Sequence, residues 1–238
     1  MYLLVLLCKY ETGYKNLIKL VSHSFIDGFY IKPRVDIEIL EKYSEGLIAL
    51  SACLAGEIPS ALVADDYRRA KEVALKYQNI YGAGNFYLEI QNHGLEEQIK
   101  ILPMLKKLSD ETGIELVATN DVHYLKQEDS EMQKILICIQ TNKTVDDENA
   151  LDFGSNQFYL KSEEEMRQVF SLYPDAIENT KVIADKCNFD FEFGCTKLPL
   201  FDIGDVDHYQ YFKNMCYDGL KSRYQDINDE LINRLEYE

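Results

Sequence analysis

The chain has 238 residues, with 41 acidic against 25 basic side chains and a formal net charge of −16. No lysine- or arginine-rich block interrupts that balance, which excludes a free-standing nucleic-acid binder built on a basic face; a polyanionic substrate would have to be held locally, through metal cations. At 46% apolar, with 17 Tyr and 11 Phe, the chain can bury a core and is not a disordered tail, and its length suits one large α/β domain or two small ones.

In chain order, Tyr2 to Cys8 reads as a fully buried, parallel strand. Glu11 to Phe25 follows as a helix, with Leu17, Ile18, Leu20 and Val21 at helical spacing. A loop from Gly28 to Val35 carries Lys32 and Arg34 around Pro33, and Asp36 can cap a short helix from Ile37 to Tyr43. Gly46 to Ser51 is a second strand, ending in small residues that suggest a tight turn at Ala52 to Glu57. Asp65 to Tyr81 is an amphipathic helix with Ala70, Val73, Ala74 and Tyr77 on one side. Gly82 and Gly84 stop it and are no dinucleotide fingerprint, because they follow a helix and precede a strand. Asn85 to Gln91 is a third strand, and Leu95 to Gly113 a helix with Ile99, Leu102, Leu105 and Leu108 in register. Ile114 to Val117 is a fourth strand. This βα alternation predicts a parallel sheet or an open part of a barrel, since four strands do not close one.

Beyond Tyr124 the pattern changes. Helices are expected over Ser130 to Thr141, from a capping box at Ser162 and Glu165, over Pro174 to Cys187, His208 to Tyr224 and Asn228 to Tyr237. Asp146 to Gln157 reads as polar loop, and Phe189 to Phe201 as an extended aromatic segment. The six cysteines are scattered without a CxxC pair, which fits a reduced, cytoplasmic compartment better than a disulfide scaffold. No stretch approaches the length of a membrane span, and no signal peptide is expected.

Three strand ends carry metal-ligating residue types: Cys53 after the second, His93 after the third, Asp121 and His123 after the fourth. On an extended segment Asp121 and His123 would point the same way. In a parallel fold such ends converge on one rim, where ligand sites lie. Thiolate, imidazole and carboxylate together suit zinc, or manganese or iron in a mixed site. Each residue has a plainer reading. Cys53 can be a core thiol, His93 a turn residue, Asp121 a cap beside a packed His123, and Lys32 and Arg34 solvated charges rather than phosphate contacts.

Several longer motifs stand in order: Glu11-Thr12-Gly13-Tyr14-Lys15-Asn16-Leu17, Glu45 through Glu57, Phe86 through Gly94, Val117 through Tyr124, and Tyr159 through Met166. Together they resemble the PHP (polymerase and histidinol phosphatase) domain of the bacterial DNA polymerase III alpha subunit, essentially end to end. The resemblance implies an incomplete (β/α)7-type barrel over 1–200, followed by a helical connector over 201–238 toward a polymerase core. It matches Cys53, His93, Asp121 and His123 to metal-ligand positions, and so raises Cys53 from core thiol to ligand. It implies zinc or manganese in a phosphoesterase site that in some members is a 3′–5′ exonuclease, with no catalytic residues beyond the ligands, and magnesium in the polymerase site. It implies DNA, a sliding clamp and other replisome subunits as partners, and no membrane. It also places an HxH motif and further ligands before Met1, and the polymerase palm after Glu238, so that truncation at both ends is expected. A stand-alone metal-dependent phosphatase and a non-catalytic structural module are the alternative readings.

Overall fold

The computed structural model describes residues 1–147, 153–196 and 198–238. Within the expected loop from Asp146 to Gln157, residues 148–152 lie outside the described residues, as does Lys197. The chain divides into two compact units, Met1–Asp190 and Phe191–Glu238.

The first unit is built on four strands, β1 (Val5–Cys8), β2 (Leu47–Leu50), β3 (Phe86–Ile90) and β4 (Leu116–Ala118), in sheet order β1-β2-β3-β4. The β2–β3 and β3–β4 pairings are parallel. The first strand departs from expectation. It is shorter, partly exposed, and antiparallel to β2, with Val5 opposite Leu50 and Cys8 opposite Leu47. An apolar run encodes burial but no direction; direction is set by where the connection returns. Here α1 (Glu11–Ile26) leaves from the end of β1, and α2 (Ile37–Lys42) brings the chain back to that same end, where the Lys9 amide donates to the Gly46 carbonyl.

Helix limits follow local chemistry closely. Asp36 caps α2 by accepting from the Ile39 amide, and Asp66 caps α4 (Tyr67–Tyr81) by accepting from Arg69. The last turn of α5 (Glu96–Thr112) closes on Gly113 at φ 71°. A helix absent from the sequence reading, α3 (Glu57–Val63), occupies the stretch between the strand end and α4, with Ile58 and Leu62 buried. In α5, Ile99 faces out at 54% exposure while Ile101, Leu102, Leu105 and Leu108 are buried. Then α6 (Ser130–Thr141), α7 (Glu163–Val169) and α8 (Pro174–Lys186) follow as expected, α7 with the Ser162–Glu165 capping box in place. Among the described residues, no helix is long and apolar enough to cross a membrane.

Strand alternation sorts the core into two layers. Leu47, Ala49, Phe86, Leu88, Ile90, Leu116 and Ala118 face one cluster, which α3, α4 and α5 cover. Ile48, Leu50, Tyr87 and Val117 face a second, smaller cluster that includes Ile183 of α8. The Asn179 side chain fixes α8 by donating to the Leu116 carbonyl at 2.8 Å. In the second unit, α9 (His208–Arg223) and α10 (Asp229–Tyr237) bury no residue; Lys213 pairs with Glu236 at 3.0 Å, and Asp207 and Asn228 cap the two helices.

The tightest junction joins α1 to the turn before β2. A Cβ on Gly13 would stand 2.0 Å from the Gly46 carbonyl oxygen, and Gly46 itself sits at φ 76°. Backbone meets backbone, so neither side can yield by rotating a side chain. Gly13→Ala is expected to destabilise the first unit by about 3 kcal/mol, the upper range for overpacking, read as a lower denaturation midpoint; an unchanged midpoint would show that the contact is dispensable.

Candidate metal site

Strand β3 delivers its polar residues to the end of the sheet. Glu89 shares the inward parity of Tyr87 and is only 6% exposed. Its Oε1 accepts from the Thr119 hydroxyl and, at 3.1 Å, from Gln91 Nε2, while among the described residues its Oε2 and Gln91 Oε1 make no hydrogen bond of good geometry, the Ala52 backbone being the group that faces the carboxylate. Burial raises its pKa above the usual carboxylate value, against those hydrogen bonds, and neighbouring Asp121 adds to the shift. Cys53 follows β2 and Ala52, which holds φ 64°; the thiol-bearing residue is half-buried and lines a small cavity with Glu89, Gln91 and Gln98.

His93 is almost fully buried, at 1% exposure. Its Nε2–H donates to the Asn120 carbonyl at 2.7 Å, and its Nδ1 accepts from Gln98 Nε2 at 2.9 Å. The Gln98 orientation is fixed in turn, because its Oε1 accepts from the His93 amide at 2.8 Å. Phe158 stacks on the imidazole at 3.9 Å. Burial is the largest cause of a pKa below the usual histidine value, and the charge of Lys161 works in the same direction.

After β4 the chain does not stay extended. Asp121 takes a left-handed conformation at φ 45°, so the same-side argument for residues i and i+2 does not govern Asp121 and His123. Instead, His123 Nδ1–H donates to the Asp121 carbonyl at 2.7 Å. The segment then pairs with residues 158–160: the His123 amide donates to the Phe158 carbonyl at 2.8 Å and the Leu160 amide to Tyr124 at 3.1 Å. Asp121 and His123 are both exposed.

The tertiary structure therefore joins His93 to the Asp121–His123 turn through Asn120 and Phe158, and sets Cys53 beside Glu89 and Gln91. Among the described residues no three His, Cys, Asp or Glu side chains converge closely enough to cage a metal. The donors fit a cation unequally. His123 fits, since a backbone acceptor on Nδ1 leaves the Nε2 lone pair outward, the tautomer of a metal-bound imidazole. His93 does not fit in this arrangement, because both ring nitrogens are already engaged. Lys32 and Arg34 lie on the loop between α1 and α2, where Arg34 donates to the Gly28 carbonyl at 3.3 Å and covers the Tyr30 ring; neither contacts the four candidate ligands. Glu89 was missed in the sequence, although a glutamate inside an otherwise apolar strand was the available signal.

Residues 1–93 match the PHP domain family, a stretch that includes Cys53 and His93. Curated relatives extend the similarity to the remainder. The DNA polymerase III subunit alpha of Treponema pallidum (strain Nichols) is 45% identical over 241 residues, covering 100% of this chain and 20% of the relative. That of Borreliella burgdorferi is 43% identical, covering 100% and 21%, and that of Thermus aquaticus 39% identical, covering 97% and 19%. Residues 1–93 carry PHP-domain sequence, and the chain as a whole is similar to DNA polymerase III alpha subunits. It spans about a fifth of the length of these relatives. Asp121 and His123 fall outside the PHP-family match but within the longer similarity to the alpha subunits.

The buried imidazole of this PHP segment makes stability pH-dependent. His93 has a folded pKa below 6.5, so above that pH both folded and unfolded forms carry it neutral, and below it the unfolded chain takes the proton first. Unfolding free energy from denaturant titration is expected to fall from pH 7.5 to pH 5.5, and to fall less in His93→Gln. Equal pH slopes in the two proteins would remove His93 as the source.

Proposed function

We propose that the chain is a piece of a replicative DNA polymerase III alpha subunit, and that its strand-end rim belongs to a metal-dependent phosphoesterase site. The observation that carries the first part is the end-to-end similarity to alpha subunits at 39–45% identity. In that reading the parent protein extends DNA from deoxynucleoside triphosphates with magnesium in a polymerase site, in the cytoplasm, alongside a sliding clamp and other replisome subunits.

The second part rests on the residue types at the ends of β2 and β4. His123 would hold zinc or manganese through Nε2 with Asp121 as an oxygen donor beside it; Cys53, which lines the cavity at Glu89 and Gln91, would add a sulfur donor only if the strand ends close together around the ion. A metal there would supply polarisation of a phosphoryl oxygen and a lowered pKa for a bound water, the chemistry of phosphodiester hydrolysis and of a 3′–5′ exonuclease. The chain's own contribution is orientation. The Asp121 carbonyl selects the His123 tautomer, and the Phe158 ring lies edge-on to that imidazole at 5.4 Å. His93 is held by Asn120 and Gln98, and joins a metal only by giving up those bonds.

Metal content of the purified, dialysed chain tests the site directly. Bound zinc or manganese is expected to drop in both His123→Ala and Cys53→Ala, whereas unchanged stoichiometry in both would take the rim out of metal binding. In a full-length protein carrying this chain, Asp121→Asn is expected to suppress mononucleotide release from 3′-labelled DNA while template-directed synthesis continues.

A further inference from the structure

The rim carries one more charged group, Lys161. Lys161 follows the segment that pairs with His123 and Tyr124. Its ammonium donates to Asn120 Oδ1 at 3.1 Å and to the Gln157 carbonyl, and lies 4.2 Å from the centre of the Tyr159 ring. Asn120 is the residue whose carbonyl accepts from His93 and whose next neighbour is Asp121. Lys161 thus stands beside the turn that presents Asp121 and His123, on the same end of the sheet.

An ammonium has three N–H donors. Two are used by Asn120 and Gln157, and the third meets no protein acceptor among the described residues. No carboxylate lies within ion-pair distance of it there either. The nearest acidic influence is Glu165, which is occupied by the Tyr159 hydroxyl at 2.6 Å and by the Ser162 amide at 2.7 Å. A half-buried cation without a counter-ion is costly, and an anion that supplies both charge and acceptor oxygens offsets that cost. Arg34, on the loop between α1 and α2, instead donates to the Gly28 carbonyl and covers the Tyr30 ring.

We propose that Lys161 is the phosphate-binding cation of this site, its free N–H directed to a non-bridging oxygen of a phosphoester held at the Asp121–His123 turn. The proposal rests on the phosphoesterase reading and adds the group that would hold the anion. It also gives the acidic chain a local positive contact for a polyanionic substrate.

The test is calorimetric titration of the full chain with inorganic phosphate, with chelator and again with manganese, at low ionic strength. Lys161→Gln keeps a hydrogen-bond donor for Asn120 and removes the charge; Lys161→Arg keeps the charge. The expected result is a dissociation constant raised about tenfold in Lys161→Gln, as for loss of one charge-assisted hydrogen bond, with Lys161→Arg close to the unaltered chain. Should Lys161→Gln fail to fold, the Lys161 Cε resonance of the unaltered chain, assigned through Lys161→Arg, is expected to shift as phosphate is added, and a stationary resonance overturns the proposal. Phosphate binding that ignores Lys161→Gln, or that Lys161→Gln weakens only through a lowered melting point, overturns the role of Lys161 and leaves the phosphoesterase reading standing. Absence of phosphate binding with and without manganese overturns both.

Discussion

The structure depends on burying β2, β3 and β4 on both faces at once. Strands covered on two sides have no solvent-facing parity, so every polar side chain within them must find its partners inside the protein. Ser51, Glu89, Gln91 and Thr119 do so only in part, at the ends of the strands: the Ser51 hydroxyl accepts from the Glu89 amide at 2.8 Å and Gln91 Nε2 reaches Thr119 at 3.0 Å, while Glu89 Oε2 and Gln91 Oε1 are left without a hydrogen-bond partner among the described residues. This network is where a hydrophobic interior changes into a polar rim. The candidate chemistry lies just beyond it, because that is the first place where an imidazole or carboxylate can meet both the protein and water.

Electrostatically the rim is unbalanced from within. Burial raises the Glu89 pKa and Asp121 adds to it, and among the described residues no Lys or Arg pairs with Glu89. His93, buried beside them, favours its neutral form. Burial thus works against the charged form of both Glu89 and His93, while Asp121 and His123 stand exposed on the turn. Asn120 links the two regimes. Its carbonyl accepts from buried His93, its amide nitrogen donates to the Tyr159 carbonyl, and its side-chain oxygen accepts from Lys161. A single residue thereby fixes the spacing between the buried imidazole, the exposed turn and the cation.

Most element limits were legible in the sequence, since they depend on neighbours a few residues away. Asp36 and Ser162 cap their helices through the amide three residues on, and Gly113 ends α5 in a left-handed conformation. What escaped was set by distant partners. Helix α3 forms because Ile58 and Leu62 are taken up by the core that α4 and α5 complete. The direction of β1 depends on where α2 returns the chain. Ile99 keeps helical register yet faces outward, because register identifies a stripe and only the neighbouring elements identify which flank of it is covered.

The candidate site divides in the same way. Sequence order placed Cys53, His93, Asp121 and His123 at strand ends, because strand length and the βα alternation are local properties. It could not supply the left-handed turn at Asp121, the burial of both His93 nitrogens in hydrogen bonds, or the inward parity of Glu89. Nor could it bring Lys161, forty residues beyond Asp121, against Asn120. The sequence by itself determined the family resemblance, the helix caps and which residue types stand at the ends of the strands. The tertiary structure alone decided which of them touch, which are buried and which remain open to a ligand, because those outcomes depend on packing between segments that no local pattern of residues encodes.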